Sequence, residues 1–203
     1  RNSGNIGLTR SLNLGLSLAR GEYFARFDAD DIALPQRIER QAAFLDSHPD
    51  IDLVGCRARL VEEDGSLIGE SVPPMYDEAI KAELLLKNYF GHPEIMARMQ
   101  TIRAVGGYDE SIPFAQDYDL WRRLIPGAKF ASLPEALYIW RNRKQNISNS
   151  KRLAQLECMF STSVRLVRET MSSRERLDED AYRRVWFAFH GRVDMMRDGD
   201  IER

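Results

Sequence analysis

With 203 residues the chain can bury one substantial core, or one domain with an appendage. A hydrophobic share of 43% and a charged share of 30% suit a soluble globular protein, and a formal net charge of -2 leaves no basic field to argue for nucleic acid. Cys56 and Cys158 are too isolated for a disulfide framework or a zinc site, and no run approaches the ~18 apolar residues of a membrane span, so a reduced, cytoplasmic setting is expected.

In chain order, the first element is a helix. Asn5 can cap it, Ile6, Leu8, Leu12, Leu16 and Ala19 give it an apolar stripe at helical spacing, and Gly21 ends it after Arg20. Glu22 to Phe27 reads as a strand that delivers Asp28-Ala29-Asp30-Asp31. Such a carboxylate cluster repels itself unless a cation or solvent screens it. The i, i+2 spacing in extended chain puts Asp28 and Asp30 on one side, where they can converge on a hard ion. An acidic turn that caps the next helix accounts for the same residues. That helix opens at Pro35, runs to about Ser47, and repeats Ile38, Ala42 and Leu45 on one face.

Ile51 to Val61 reads as a strand, turned by Glu63-Asp64-Gly65 into a second one, Ser66 to Ser71. The alternation of helix and strand predicts an α/β fold with a mostly parallel sheet flanked by helices. A helix from Tyr76 to Lys87, a strand from Glu94 to Ala97 behind His92-Pro93, and a small helix from Thr101 to Val105 follow. Gly106-Gly107-Tyr108-Asp109-Glu110 is a loop by its glycines, and Gln116 opens a helix to about Leu124. Phe130 to Leu133 and Ala136 to Trp140 close the sheet, and Arg141 to Ser150 form a polar, basic loop. From Lys151 two amphipathic helices are expected. Leu153, Leu156, Phe160, Val164, Val167 and Met171 line the first; Leu177, Ala181, Val185, Trp186 and Phe189 line the second.

Several separated blocks together resemble the family-2 glycosyltransferases, inverting enzymes of the GT-A fold. They are Asn5-Ile6-Gly7-Leu8-Thr9-Arg10, Gly21-Glu22-Tyr23, Asp28-Ala29-Asp30-Asp31 with Pro35 and Arg37, Gly106-Gly107-Tyr108-Asp109, and Asp117-Tyr118-Asp119-Leu120-Trp121. His92-Pro93 and Leu133-Pro134-Glu135 fall in the same register. One DxD alone is weak evidence; blocks in order over residues 2–150 are specific. The resemblance is to bacterial transferases that build surface polysaccharide or lipo-oligosaccharide.

The resemblance implies a GT-A catalytic domain over residues 1–150, a C-terminal helical extension over 151–203, a nucleotide-sugar donor of UDP type, and Mg²⁺ or Mn²⁺. By position, Asp30 would hold the metal, and Asp28 would face the ribose or the metal. Arg10 and Arg143 would lie toward the donor diphosphate. Asp117 would be the general base for an acceptor hydroxyl on a saccharide or lipid-linked acceptor, with Gly107, Gln116 and Asp119 on the acceptor side. The residues also have plainer readings: Asp117 as a helix cap, Tyr118 and Trp121 as core, His92 as a buried histidine, Arg10 as an exposed helix arginine, and Arg37 as a salt bridge to the acidic turn. Gln116 stands where the family often has Glu, and Arg141-Asn142-Arg143 stands where it often has Arg-x-His. An arginine can bind phosphate there but cannot ligate a metal.

Family members begin with a strand, helix and strand that hold the nucleotide base, and nothing before Arg1 supplies them. The resemblance therefore implies a fold truncated at its N-terminus, with apolar surface exposed and no activity in this stretch alone, unless the absent segment lies upstream of it or is supplied by another chain. Two other functions compete: a nucleotidyltransferase making nucleotide-sugars, and a non-catalytic binding or regulatory module descended from a transferase. The Asp117 block argues against the first; only the substitutions at Gln116 and Arg143 favour the second. In the C-terminal helices, Arg165, Arg168, Arg174, Arg176, Arg183 and Arg184 can touch anionic lipid on the inner face of the membrane. Packing on the catalytic domain or in a homodimer is the competing use, since Glu169, Glu175, Asp178, Glu179 and Asp180 dilute the charge.

Overall fold

A computed structural model describes residues 4–143, 151–172 and 175–191. Helix α1 (Leu8–Leu18) leads to strand β1 (Tyr23–Ala25), the acidic turn, the two-residue strand β2 (Ile32–Ala33) and α2 (Arg37–Ser47). Strands β3 (Leu53–Val61) and β4 (Leu67–Ser71) form a hairpin. Next come α3 (Asp77–Leu84), a single 3-10 turn (His92–Glu94), β5 (Met96–Arg98), α4 (Met99–Ala104) and α5 (Gln116–Leu124). Strand β6 (Phe130–Arg141) precedes two further helices, α6 (Arg152–Thr170) and α7 (Glu179–Phe189). Asn5 does not cap α1. Its Oδ1 accepts from the Gly7 N–H at 3.0 Å in a local turn, and the cap position is Gly7.

The α/β class holds, with one sheet in the order β1-β5-β3-β6-β2 and β4 added against β3. The expected mostly parallel pairing does not hold among the described residues. Only β3 and β6 run parallel, and the β1/β5, β3/β5, β2/β6 and β3/β4 pairs are antiparallel. A parallel neighbour needs a long crossover, which α3 to α5 supply between β3 and β6. The alternation of elements says nothing about direction where strands are only two or three residues long, as β1, β2 and β5 are. The two closing strands are one: β6 continues through Pro134, and the β3 register jumps from Gly55 opposite Ser132 to Arg57 opposite Ala136. A proline with no N–H to give is tolerated at such a bulge.

Period-2 alternation along β3 splits the core between the two faces. Leu53 joins Ile80, Leu84, Phe90, Ile102, Tyr118, Trp121 and Phe130 on one side, and Val54, Cys56 and Ala58 join Leu45, Met96, Leu137 and Tyr138 on the other. Gly55 is required here, because a Cβ would lie 2.5 Å from the Phe90 ring. Helix α1 buries Leu16 but leaves Leu8, Leu14 and Leu18 exposed.

Helices α6 and α7 pack together through Leu156, Phe160, Val164, Trp186 and Phe187, and Leu166 reaches into the main core. Val185 and Phe189, expected inside, are exposed, while Phe187 is buried. Two of the C-terminal arginines pair within the helices, and Arg122 joins from α5. Buried Arg183 lies over the Phe160 and Phe187 rings and pairs with Glu157 at 2.5 Å, Arg168 pairs with Glu179 at 2.6 Å, and Arg122 of α5 reaches Glu169. Arg174 lies outside the described residues. No helix among those described is long and apolar enough to cross a membrane.

Candidate active site

The acidic turn is fastened to the end of β6. The Asp31 N–H donates to Asp28 O at 3.1 Å, closing the turn. Asp31 then spends both carboxylate oxygens on β6: Oδ1 accepts the Arg141 N–H at 2.9 Å and Oδ2 accepts the Tyr138 hydroxyl at 3.1 Å. The same hydroxyl accepts the Asp28 N–H at 3.2 Å, and Arg141 Nε donates to Asp30 O. Arg37 does not make the salt bridge expected of it. Fully buried, it donates to Arg26 O at 3.0 Å, Ile95 O at 2.9 Å and Gln41 Oε1 at 3.0 Å, which fixes the backbone where the turn begins.

The three carboxylates therefore differ. Asp31 is structural. Asp28 is gripped by both terminal nitrogens of Arg26, with Nη1 to Oδ2 at 2.7 Å. Burial raises its pKa, the Arg26 charge and hydrogen bond oppose the rise, and the neighbouring charges of Asp30 and Asp117 add to it. The Asp30 side chain makes no hydrogen bond or ion pair with the described residues, and its partly exposed carboxylate is the one left to take a ligand.

Asp117 sits in the first turn of α5, behind Ala115, whose φ of 55° puts a non-glycine residue in the left-handed region. That conformation costs roughly 1–2 kcal/mol for an L-residue, and such outliers cluster at functional sites. Asp117 is not the cap residue; Ala115 is. It is half-buried, burial raises its pKa, and Oδ2 accepts a hydrogen bond from Asn88 Nδ2 at 2.9 Å. Nearby, His92 Nε2 and the Tyr108 hydroxyl share a 2.5 Å hydrogen bond. Burial and the Arg26 charge push the His92 pKa well down, so the ring is neutral.

Arg26 is what sequence reasoning missed. Its charge acts on Asp28, His92, Tyr108 and Asp117 alike, and the Asp117 charge acts back on Asp28 and Tyr108. The acidic turn and the start of α5 thus lie within electrostatic reach of each other, around one nearly buried guanidinium. The only sequence signal was a charge inside the apolar run Tyr23-Phe24-Ala25-Arg26-Phe27.

Other expected site residues fall elsewhere. Asp119 is completely buried and ion-paired with Arg122 at 3.0 Å and Arg123 at 2.9 Å. A carboxylate so enclosed cannot meet an acceptor, so its acceptor-side assignment is corrected to a structural one. Gln116 is buried at the first position of α5. Arg10 is exposed on α1, and Glu110 pairs with it at 3.3 Å. Arg143 lies two residues beyond Arg141, the end of β6.

Gly107, at φ 71°, is wedged against α1. Its carbonyl accepts Arg123 Nη2 at 2.7 Å, and a Cβ would meet Asn13 Oδ1 at 2.9 Å. Gly106, at φ 78°, has nothing within 4 Å of that position. Gly107→Ala is therefore expected to cost about 1 kcal/mol more stability than Gly106→Ala, because both bear the left-handed penalty and only the first overpacks. Urea denaturation midpoints check this; equal losses would mean α1 yields freely.

A hard divalent cation fits the turn. Such ions take one or two carboxylates and otherwise substrate phosphate oxygens, and Asp30 offers an unengaged carboxylate beside Asp28. No larger cluster of metal-binding side chains occurs among the described residues.

The sequence model described as Glycosyl transferase family 2 matches residues 1–104. An uncharacterized glycosyltransferase of Methanocaldococcus jannaschii is 35% identical over 156 residues, covering 75% of this chain and 53% of the relative. The O-antigen biosynthesis glycosyltransferase WbnJ of Escherichia coli is 32% identical over 154 residues, covering 74% of this chain and 59% of the relative. The crystal structure of S. aureus TarS with UDP-GlcNAc shares the fold, with a TM-score of 0.61 at 18% identity over 90% of this chain and 54% of that one. The chain thus spans little more than half the length of these curated relatives.

Proposed function

The chain belongs to glycosyltransferase family 2, and from that premise we propose that its acidic turn and the start of α5 are the two sides of a transfer site. A sugar passes from a nucleotide-diphosphate donor of UDP type to a hydroxyl on a saccharide or lipid-linked acceptor, with inversion at the anomeric carbon. The observation that carries this reading is the placing of Asp117, a half-buried carboxylate with raised pKa, within the field of the donor-side turn.

In this reading Asp117 takes the proton from the acceptor hydroxyl as its oxygen attacks the anomeric carbon, and the bond to the donor diphosphate breaks in the same displacement. No enzyme nucleophile is needed. Asp30, with Asp28 beside it, would hold Mg²⁺ or Mn²⁺, which would supply positive charge against that developing on the leaving nucleoside diphosphate. Arg143 and the Arg26–Asp28 pair set the remaining charge on that side. WbnJ acts in O-antigen biosynthesis by its name, and synthesis of a cell-surface polysaccharide is the role proposed here.

The test is a screen of UDP-, GDP-, dTDP- and CMP-sugars with the full-length protein and Mn²⁺, reading released nucleotide by mass spectrometry. Release of UDP that requires the metal supports the proposal. Tight binding of nucleotide-sugar without release, in the presence of acceptor extracts, sinks it in favour of a binding module.

A further inference from the structure

The segment between α3 and the 3-10 turn is fastened from two sides. From α5, the Tyr118 hydroxyl donates to Leu84 O and Trp121 Nε1 donates to Phe90 O at 3.3 Å. From the C-terminal helices, Ser163 Oγ and the Tyr182 hydroxyl both donate to Leu85 O, the second at 2.6 Å. Asn88 stands inside this braced stretch, and its Nδ2 meets Asp117 Oδ2 at 2.9 Å.

Its other amide atom does not explain that orientation. Asn88 Oδ1 is buried and has no hydrogen-bond partner among the described residues. Leaving a buried acceptor unsatisfied is costly. Turning the amide over would set that oxygen against a carboxylate, so the contact with Asp117 decides which way the side chain faces.

We propose that Asn88 is the positioning residue of the base: by engaging Oδ2 it fixes the plane of the Asp117 carboxylate and leaves Oδ1 to meet the acceptor hydroxyl. The proposal rests on the reading of Asp117 as base. It also gives α6 and α7 a part in the site, since Ser163 and Tyr182 brace the segment that carries Asn88. The groups acting on Asp117 are the Asn88 amide, the Tyr118 N–H, the Arg26 charge and its own N–H, all favouring the ionised form against burial, with the Asp28 carboxylate and the Tyr108 hydroxyl also within its field. The Asn88 hydrogen bond is the largest of the favouring influences.

The experiment uses full-length protein with aspartate labelled by ¹³C at the carboxyl carbon; the signal missing from Asp117→Asn assigns Asp117. Its titration is expected to move to higher pH in Asn88→Ala. It should move further in Asn88→Asp, which keeps the volume and replaces a donor by a like charge. Donor hydrolysis with UDP-GlcNAc as probe is expected to fall about tenfold or more in kcat, with donor KM within about twofold, since a hydrogen bond to a charged group is lost and donor contacts are not.

An unmoved titration in both variants overturns the proposal, as does a moved titration with unchanged kcat. Asn88→Asp keeps the test alive if Asn88→Ala fails to fold. Retained turnover in Asp117→Asn overturns the reading beneath it instead, which separates the two failures.

Discussion

Asp117→Asn in the full-length protein is expected to lower sugar transfer by a factor of about 10²–10⁴, the usual worth of a positioned general base, with donor affinity almost unchanged. The amide keeps the shape and still accepts the Asn88 N–H, but it cannot take a proton. The pH dependence follows from burial. Asp117 must be ionised to act, and its pKa is raised, so the acid limb of kcat lies above the ordinary carboxylate range. Stability runs the other way. A carboxylate whose folded pKa lies above its unfolded value binds more protons in the folded state, so it destabilises the fold as pH rises through that window. Asp117→Asn removes this cost and should melt no lower than the parent at neutral pH. Calorimetry and a nucleotide-release assay check both halves; loss of donor binding in the variant would move Asp117 out of the base role.

The sequence carried the elements well where periodicity was strong. Helix α5 spans Gln116 to Leu124 as expected, and the β3–β4 hairpin turns where Glu63-Asp64-Gly65 predicts. Directions were not legible. The strands that set them are as short as β2, and pairing across a sheet is decided by crossovers that no local pattern records. The same divide runs through the site. Asp28, Asp30 and Asp117 stood out because motif and chemistry agree on them. Asp119 stood out for its motif alone, and its buried pairing with Arg122 and Arg123 shows that a motif position can serve the scaffold. Asn88 gave no signal, being 29 residues from Asp117 in sequence and a hydrogen bond away in space. Arg26 was visible only as a charge in an apolar strand, and its meaning depends on four side chains that the fold gathers around it.

That gathering makes Arg26→Met the more informative destabilising change. The side chain is 14% exposed and Asp28 32% exposed, so water screens the pair little. Removing the cation leaves Asp28 without its partner beside Asp30, Asp31 and Asp117, and breaking such a charge-assisted contact costs about 2 kcal/mol. The sign with pH is specific. With Arg26 gone, its charge and hydrogen bond no longer oppose burial and the neighbouring carboxylates at Asp28, so its folded pKa rises further and the penalty applies only where Asp28 is ionised. The gap in melting temperature between parent and Arg26→Met should therefore be wider at pH 8 than at an acid pH where Asp28 is protonated. Arg26→Lys restores the charge without the two-pronged grip and should fall between them. The Asp117 acid limb should shift upward in Arg26→Met and much less in Arg26→Lys, because the influence there is a field rather than a contact. A gap of equal size at both pH values would reduce Arg26 to packing, and the acidic turn and α5 would then have no shared electrostatic centre.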